Sequence, residues 1–168
     1  MEHKEIAEGL YKAMQAEVDG HNFYRMAAQN TNDPQGKEIF ERLAKEEMEH
    51  VQFLKAQYKA FLDSKKPDTA VKLPITTALS EKSGIFSDHF KSRLKEAHYE
   101  MSALSIGIQL ELSAIQFYKE QSEKVSDPVV KSFYRELADW ESRHYQILTR
   151  QHDDLKEDYW ANGGFSPF

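Results

Sequence analysis

The 168-residue chain contains no cysteine, and only 7 glycines and 5 prolines are available to break helices or shape turns. Without thiols there can be no disulfide framework, no Cys-ligated zinc or iron–sulfur centre and no thiol nucleophile. The scarcity of glycine and proline argues against a β-sandwich and against a disordered tail. No apolar run reaches the length of a membrane span, and the first residues, Met-Glu-His-Lys-Glu, lack the basic-then-apolar layout of a signal peptide. Positive charge is also in short supply. Against 28 acidic side chains stand 22 basic ones, a formal net charge of -6, which speaks against nucleic acid or an anionic membrane as a partner. The expectation is a cytoplasmic protein of one domain over residues 1–168, long enough to bury a sizeable core.

What is present is helical periodicity. Ile6, Leu10, Met14, Phe23 and Ala27 mark one buried stripe on a helix from about Glu5 to Ala28. Asp33-Pro34 then supplies an N-cap and a first-turn proline, and Ile39, Leu43, Ala44, Val51, Leu54 and Phe61 carry a second helix to about Ser64. Residues 65–87 hold Pro67, Pro74 and Gly84 without sustained period and read as a long connection. A third stripe runs through Phe90, Leu94, Met101, Leu104, Ile108 and Ile115; Asp127-Pro128 opens a fourth with Phe133, Leu137, Ile147 and Leu148. The last residues, 157–168, read as a Gly-rich aromatic tail that packs on the bundle or on a partner.

The two Asp-Pro pairs are 94 residues apart, and the same shift places Phe23-Tyr24 on Phe117-Tyr118, Leu43-Ala44 on Leu137-Ala138 and Leu54 on Leu148. The chain is therefore two copies of a helical hairpin, about 3–64 and about 88–156. A helix of about 28 residues is about 42 Å long, and the 65–87 connection can extend to about 75 Å. The connection can thus cross the full length of a bundle. The expected fold is all-α: an antiparallel four-helix bundle of two hairpins joined by one long crossover.

The shift of 94 also superposes Glu17 on Glu111, Glu47 on Glu141 and His50 on His144. Each hairpin offers one Glu, then Glu-x-x-His, and residues three apart share a helix face. Apolar neighbours such as Leu10, Leu43, Leu104 and Leu137 direct these faces inward. No Lys or Arg lies among the inward positions, so ionised carboxylates there would cost several kcal/mol each. Either the acids are protonated or cations bind. Two divalent ions would resolve the conflict. Four carboxylates and two imidazoles suit iron or manganese, and zinc could also occupy them. A single Glu-x-x-His is usually a solvated pair; two copies at matched offsets carry much more weight. Glu46 and Glu49 are expected to face solvent. Tyr24 and Tyr118 lie two turns beyond Glu17 and Glu111, where each phenol could hydrogen-bond a ligating carboxylate or simply fill the core. His21 could add a ligand, although its repeat mate is Ile115.

These motifs resemble the rubrerythrin branch of the ferritin-like superfamily over nearly the whole chain. Glu17 with Phe23-Tyr24, Glu46-Glu47-Met48-Glu49-His50, Glu111 with Phe117-Tyr118, and Ala138 to His144 carry the resemblance. It implies a ferritin-like fold, often dimeric, and two iron ions that react with hydrogen peroxide or dioxygen. Glu17 and Glu111 would be terminal or chelating ligands, Glu47 and Glu141 would bridge, and His50 and His144 would each cap one ion. Two features depart from the family pattern. No Cys-rich rubredoxin domain is present in this chain, so electrons would come from a separate donor such as a rubredoxin. The family's further Glu on the third helix is here Ala114, with Gly20 as its repeat mate. The remaining six ligands are also similar to those of bacterioferritins, which implies iron oxidation and storage as the alternative activity.

Overall fold

The computed structural model describes residues 2–73, 84–92 and 98–163, and every regular element among them is a helix. They are α1 (Glu2–Asn30), α2 (Pro34–Ser64), α3 (Asp88–Lys91), α4 (His98–Lys124) and α5 (Pro128–Gly163). Both Asp-Pro pairs act as read. The Asp33 carboxylate accepts from the Gly36 N–H at 2.8 Å, and that of Asp127 accepts from the Val129 and Val130 N–H groups at 2.9 and 3.1 Å. At the other end of α2, Lys65 takes a left-handed conformation (φ 60°) and its N–H returns to the Phe61 carbonyl.

α1 packs along α2, α4 along α5, and α1 also meets α4. The directions follow from individual contacts. Tyr24 reaches Glu111 while Tyr118 reaches Glu17, so α1 and α4 run antiparallel. Phe53 meets Phe133 edge-to-face and Glu46 bonds His144, so α2 and α5 do too. Two apolar clusters form the core. One gathers Tyr24, Phe40, Leu43, Leu104 and Leu148; the other gathers Leu10, Phe53, Tyr118, Phe133 and Leu137. On each long helix the layer of acids and histidines falls between the two clusters, which is why all of it is buried.

Three expectations change. The stripe through Phe90 is divided, because Ser87 caps a separate short α3 that ends at Lys91; Leu94 lies outside the described residues. Nor is the connection merely a spacer, since Ile85 and Phe86 are buried within the first cluster. Phe86 enters over Gly36, where a Cβ would lie 2.6 Å from its ring. The expected tail is helical as far as Gly163, because nothing from Glu157 to Asn162 breaks a helix and Leu155 prolongs the buried stripe. Residues 164–168 lie outside the described part. No helix among the described residues is long and apolar enough to cross a membrane.

Two buried glutamines, 94 positions apart, hold the ends of the connection. The Gln57 amide donates to the Asp68 carbonyl at 2.8 Å and accepts from its N–H at 2.9 Å, while Gln151 accepts from the Ile85 N–H.

Candidate metal centre

Each long helix brings one turn of the polar layer to the bundle axis. Glu17 comes from α1, Glu47 and His50 from α2, Glu111 from α4, Glu141 and His144 from α5, and all six are buried. Their donor atoms form two groups, Glu17, Glu47, His50 and Glu141, and Glu47, Glu111, Glu141 and His144, with all atoms of a group within 4.8 Å of one another. Glu47 and Glu141 belong to both groups. Glu17 and His50 make one pole of the cluster, Glu111 and His144 the other.

Both imidazoles turn Nδ1 inward. His50 Nδ1 lies 3.1 Å from Glu17, 3.4 Å from Glu47 and 3.0 Å from Glu141. His144 Nδ1 lies 3.2 Å from Glu47, 3.4 Å from Glu141 and 3.6 Å from Glu111. The phenols of Tyr24 and Tyr118 reach across the bundle, Tyr24 donating to Glu111 and Tyr118 to Glu17. Each tyrosine therefore serves the carboxylate of the opposite hairpin, not the one two turns away on its own helix.

Crowding sets the protonation pattern. Burial pushes the Glu17 carboxyl well above the ordinary carboxylate range, and the charges of Glu141 and Glu47 push the same way. Burial and the Glu47 charge do the same to Glu111. Glu47 is held well below that range because the nearby Glu17, His144 and His50 outweigh its burial. Glu141 is lowered too, the histidines outweighing burial and the Glu47 charge. Burial disfavours charge on His50 and His144, yet the surrounding carboxylates raise both well above 6.5. Glu17, Glu111 and both histidines are thus biased towards holding protons, and Glu47 and Glu141 towards releasing them. Burial, with the Glu111 and Glu17 charges respectively, keeps the Tyr24 and Tyr118 phenols protonated.

A cation can replace those protons. Glu141 Oε1 and His144 Nδ1 point into the cluster and complete no hydrogen bond there, although both are buried. Such orphaned polar atoms are costly unless something binds them. Together with the carboxylate and imidazole composition, they fit a pair of divalent ions of the iron, manganese or zinc type.

Glu46 departs from its expected exposure. It is buried, accepts from His144 Nε2 at 2.9 Å and receives Arg42 Nε at 3.2 Å. Burial raises its carboxyl, but the bonds from His144 and Arg42 more than offset this and leave it lowered. Its position carried a signal: Glu46 follows Leu43 by three and precedes His50 by four, on the stripe itself. Glu49 remains at the surface side of α2, paired with Lys45 at 3.8 Å. His21 turns Nδ1 to the Ala44 carbonyl at 2.6 Å and is not in either donor group. Gly20 borders Glu47, where a Cβ would meet its carboxyl carbon at 3.5 Å, and neither Gly20 nor Ala114 supplies a seventh carboxylate.

A sequence model of the rubrerythrin family matches the chain over residues 8–103 and 102–162. No curated protein and no solved structure matches it.

Proposed function

Since the chain belongs to the rubrerythrin family, we propose that it is a non-haem di-iron oxidoreductase that reduces hydrogen peroxide or dioxygen. The observation that carries this reading is the pair of buried donor groups sharing Glu47 and Glu141. Glu17 and His50 would hold one ion, Glu111 and His144 the other, and Glu47 and Glu141 would bridge them. Bound iron would supply one-electron redox chemistry, passing between ferrous and ferric states.

The chain's own residues prepare that chemistry. Reduction of peroxide to two waters takes two electrons and two protons. Tyr24 and Tyr118 hold protons at their phenol oxygens against Glu111 and Glu17, orienting those carboxylates and keeping a proton close to each pole. The two apolar clusters exclude bulk water from both ends of the layer. Gly20 and Ala114 add no carboxylate, so the oxidant would meet the six ligands alone. Electrons would come from a separate protein such as a rubredoxin. The working unit is a cytoplasmic homodimer.

Stopped-flow mixing of the ferrous-loaded protein with peroxide tests the activity. Oxidation much faster than that of free ferrous iron is expected; oxidation at the free-ion rate overturns the reading. Iron oxidation and storage would use the same six ligands but needs a closed protein shell, so sedimentation at monomer or dimer mass excludes it.

A further inference from the structure

The two poles of the cluster differ in what stands behind their histidines. His144 Nε2 meets the buried Glu46 carboxylate at 2.9 Å, and Glu46 is itself tied to Arg42 at 3.2 Å. A carboxylate only accepts, so Nε2 carries a proton, and Nδ1 is the nitrogen left to offer its lone pair to a metal. At the other pole the position equivalent to Glu46 is Trp140, 94 residues on. Its indole packs edge-to-face on His50 at 4.9 Å between ring centres, and His50 Nε2 has no hydrogen-bond partner among the described residues. The tautomer that presents Nδ1 to a metal therefore leaves a buried N–H unpaired at His50, whereas at His144 the same tautomer completes a charge-assisted bond.

A carboxylate behind a ligating histidine fixes its ring and raises its basicity, and losing such a partner typically weakens metal binding about 10- to 100-fold. We infer that the two ions bind unequally and in order: the Glu111/His144 pole fills first, with Glu46 as its positioning residue, and the Glu17/His50 pole fills second and more weakly. This rests on the dinuclear reading of the site. It assigns the inequality to one difference between the halves, Glu46 against Trp140 behind the two histidines.

Zinc, which is redox-inert and suits the same donors, is the probe. The metal-free full-length protein is titrated with zinc against a competing chelator, with circular dichroism reporting helix content. Two steps separated about 10- to 100-fold are expected. Glu46→Gln, which keeps the side chain's size but removes its charge, should weaken the tighter step about 10-fold or more and leave the weaker one in place. Trp140→Glu, which places an acid behind His50, should tighten the weaker step; if this variant loses helix content, Glu46→Gln still decides. Two equal steps in the unaltered protein, or Glu46→Gln weakening both steps alike or neither, overturns the inference while the dinuclear reading stands. Uptake of fewer than two zinc ions overturns both.

Discussion

The two hairpins match most closely where they meet each other. Tyr24 stacks on Phe40 with ring centres 6.4 Å apart, and its counterpart Tyr118 stacks on Tyr134 at 6.2 Å. Phe23 meets Tyr24 at 5.3 Å and Phe117 meets Tyr118 at 5.5 Å. Each tyrosine then crosses to the other hairpin's glutamate. The halves diverge one layer further out, at Glu46 against Trp140, Gly36 against Val130 and His21 against Ile115. Residues that face the shared axis serve both halves at once, so a change on one side unsettles the other. Those behind them, such as Glu46 against His144 and Trp140 against His50, each serve a single pole and differ between the halves.

The sharpest way to break the symmetry is to remove a shared donor. Glu47 and Glu141 stand in both groups, whereas Glu17 and Glu111 stand in one each. Glu47→Ala or Glu141→Ala is expected to reduce metal content from two ions per chain to nearly none, and Glu17→Ala to about one, measured by elemental analysis of protein isolated without air. Full metal content in Glu47→Ala and Glu141→Ala would contradict the site.

The next effect is on pH dependence and touches both poles in the same direction. Glu17 and Glu111 hold protons in the fold above 4.5, and His50 and His144 above 6.5, where the unfolded chain has released them. The folded metal-free protein therefore binds more protons than the unfolded one, and its stability falls as pH rises through that range. Metal binding displaces the same protons and strengthens as pH rises. Thermal melts between about pH 5.5 and 8 should show the melting temperature falling without metal and rising with saturating zinc. Equal slopes in the two series would contradict the protonation pattern.

The smallest effect separates the two glutamines. Gln57 makes two hydrogen bonds to Asp68, whereas Gln151 receives one from Ile85. At about 1 kcal/mol per bond, Gln57→Ala should destabilise by about 2 kcal/mol and Gln151→Ala by about 1, read from urea unfolding. The reverse order would show that the two ends of the connection are not held as their bonds suggest.

Much of this was legible in the sequence because duplication doubles a signal. The six acids and histidines came in pairs at one offset, and so did the tyrosines and the Asp-Pro caps. Glu46 was not, since its repeat mate is a tryptophan and its partner His144 lies 98 residues away on another helix. Ile85 and Phe86 had no periodicity to announce them; Phe86 enters over Gly36, a property of the helix it docks on. The helical run to Gly163 was hidden by reading glycine and aromatics as a tail, when local propensity allowed the helix to continue.

Asp33 carries a final consequence. Besides capping α2, its carboxylate accepts from the Ser87 N–H at 3.1 Å and from the Ser87 hydroxyl, and Ser87 in turn caps α3. Asp127, its repeat mate, serves its own helix start. The first turn of α2 therefore cannot fray without releasing the end of the crossover, and the two share one opening event. In hydrogen exchange, the amides of Gly36 and Ser87 would report a single local unfolding unit, while the start of α5 breathes on its own.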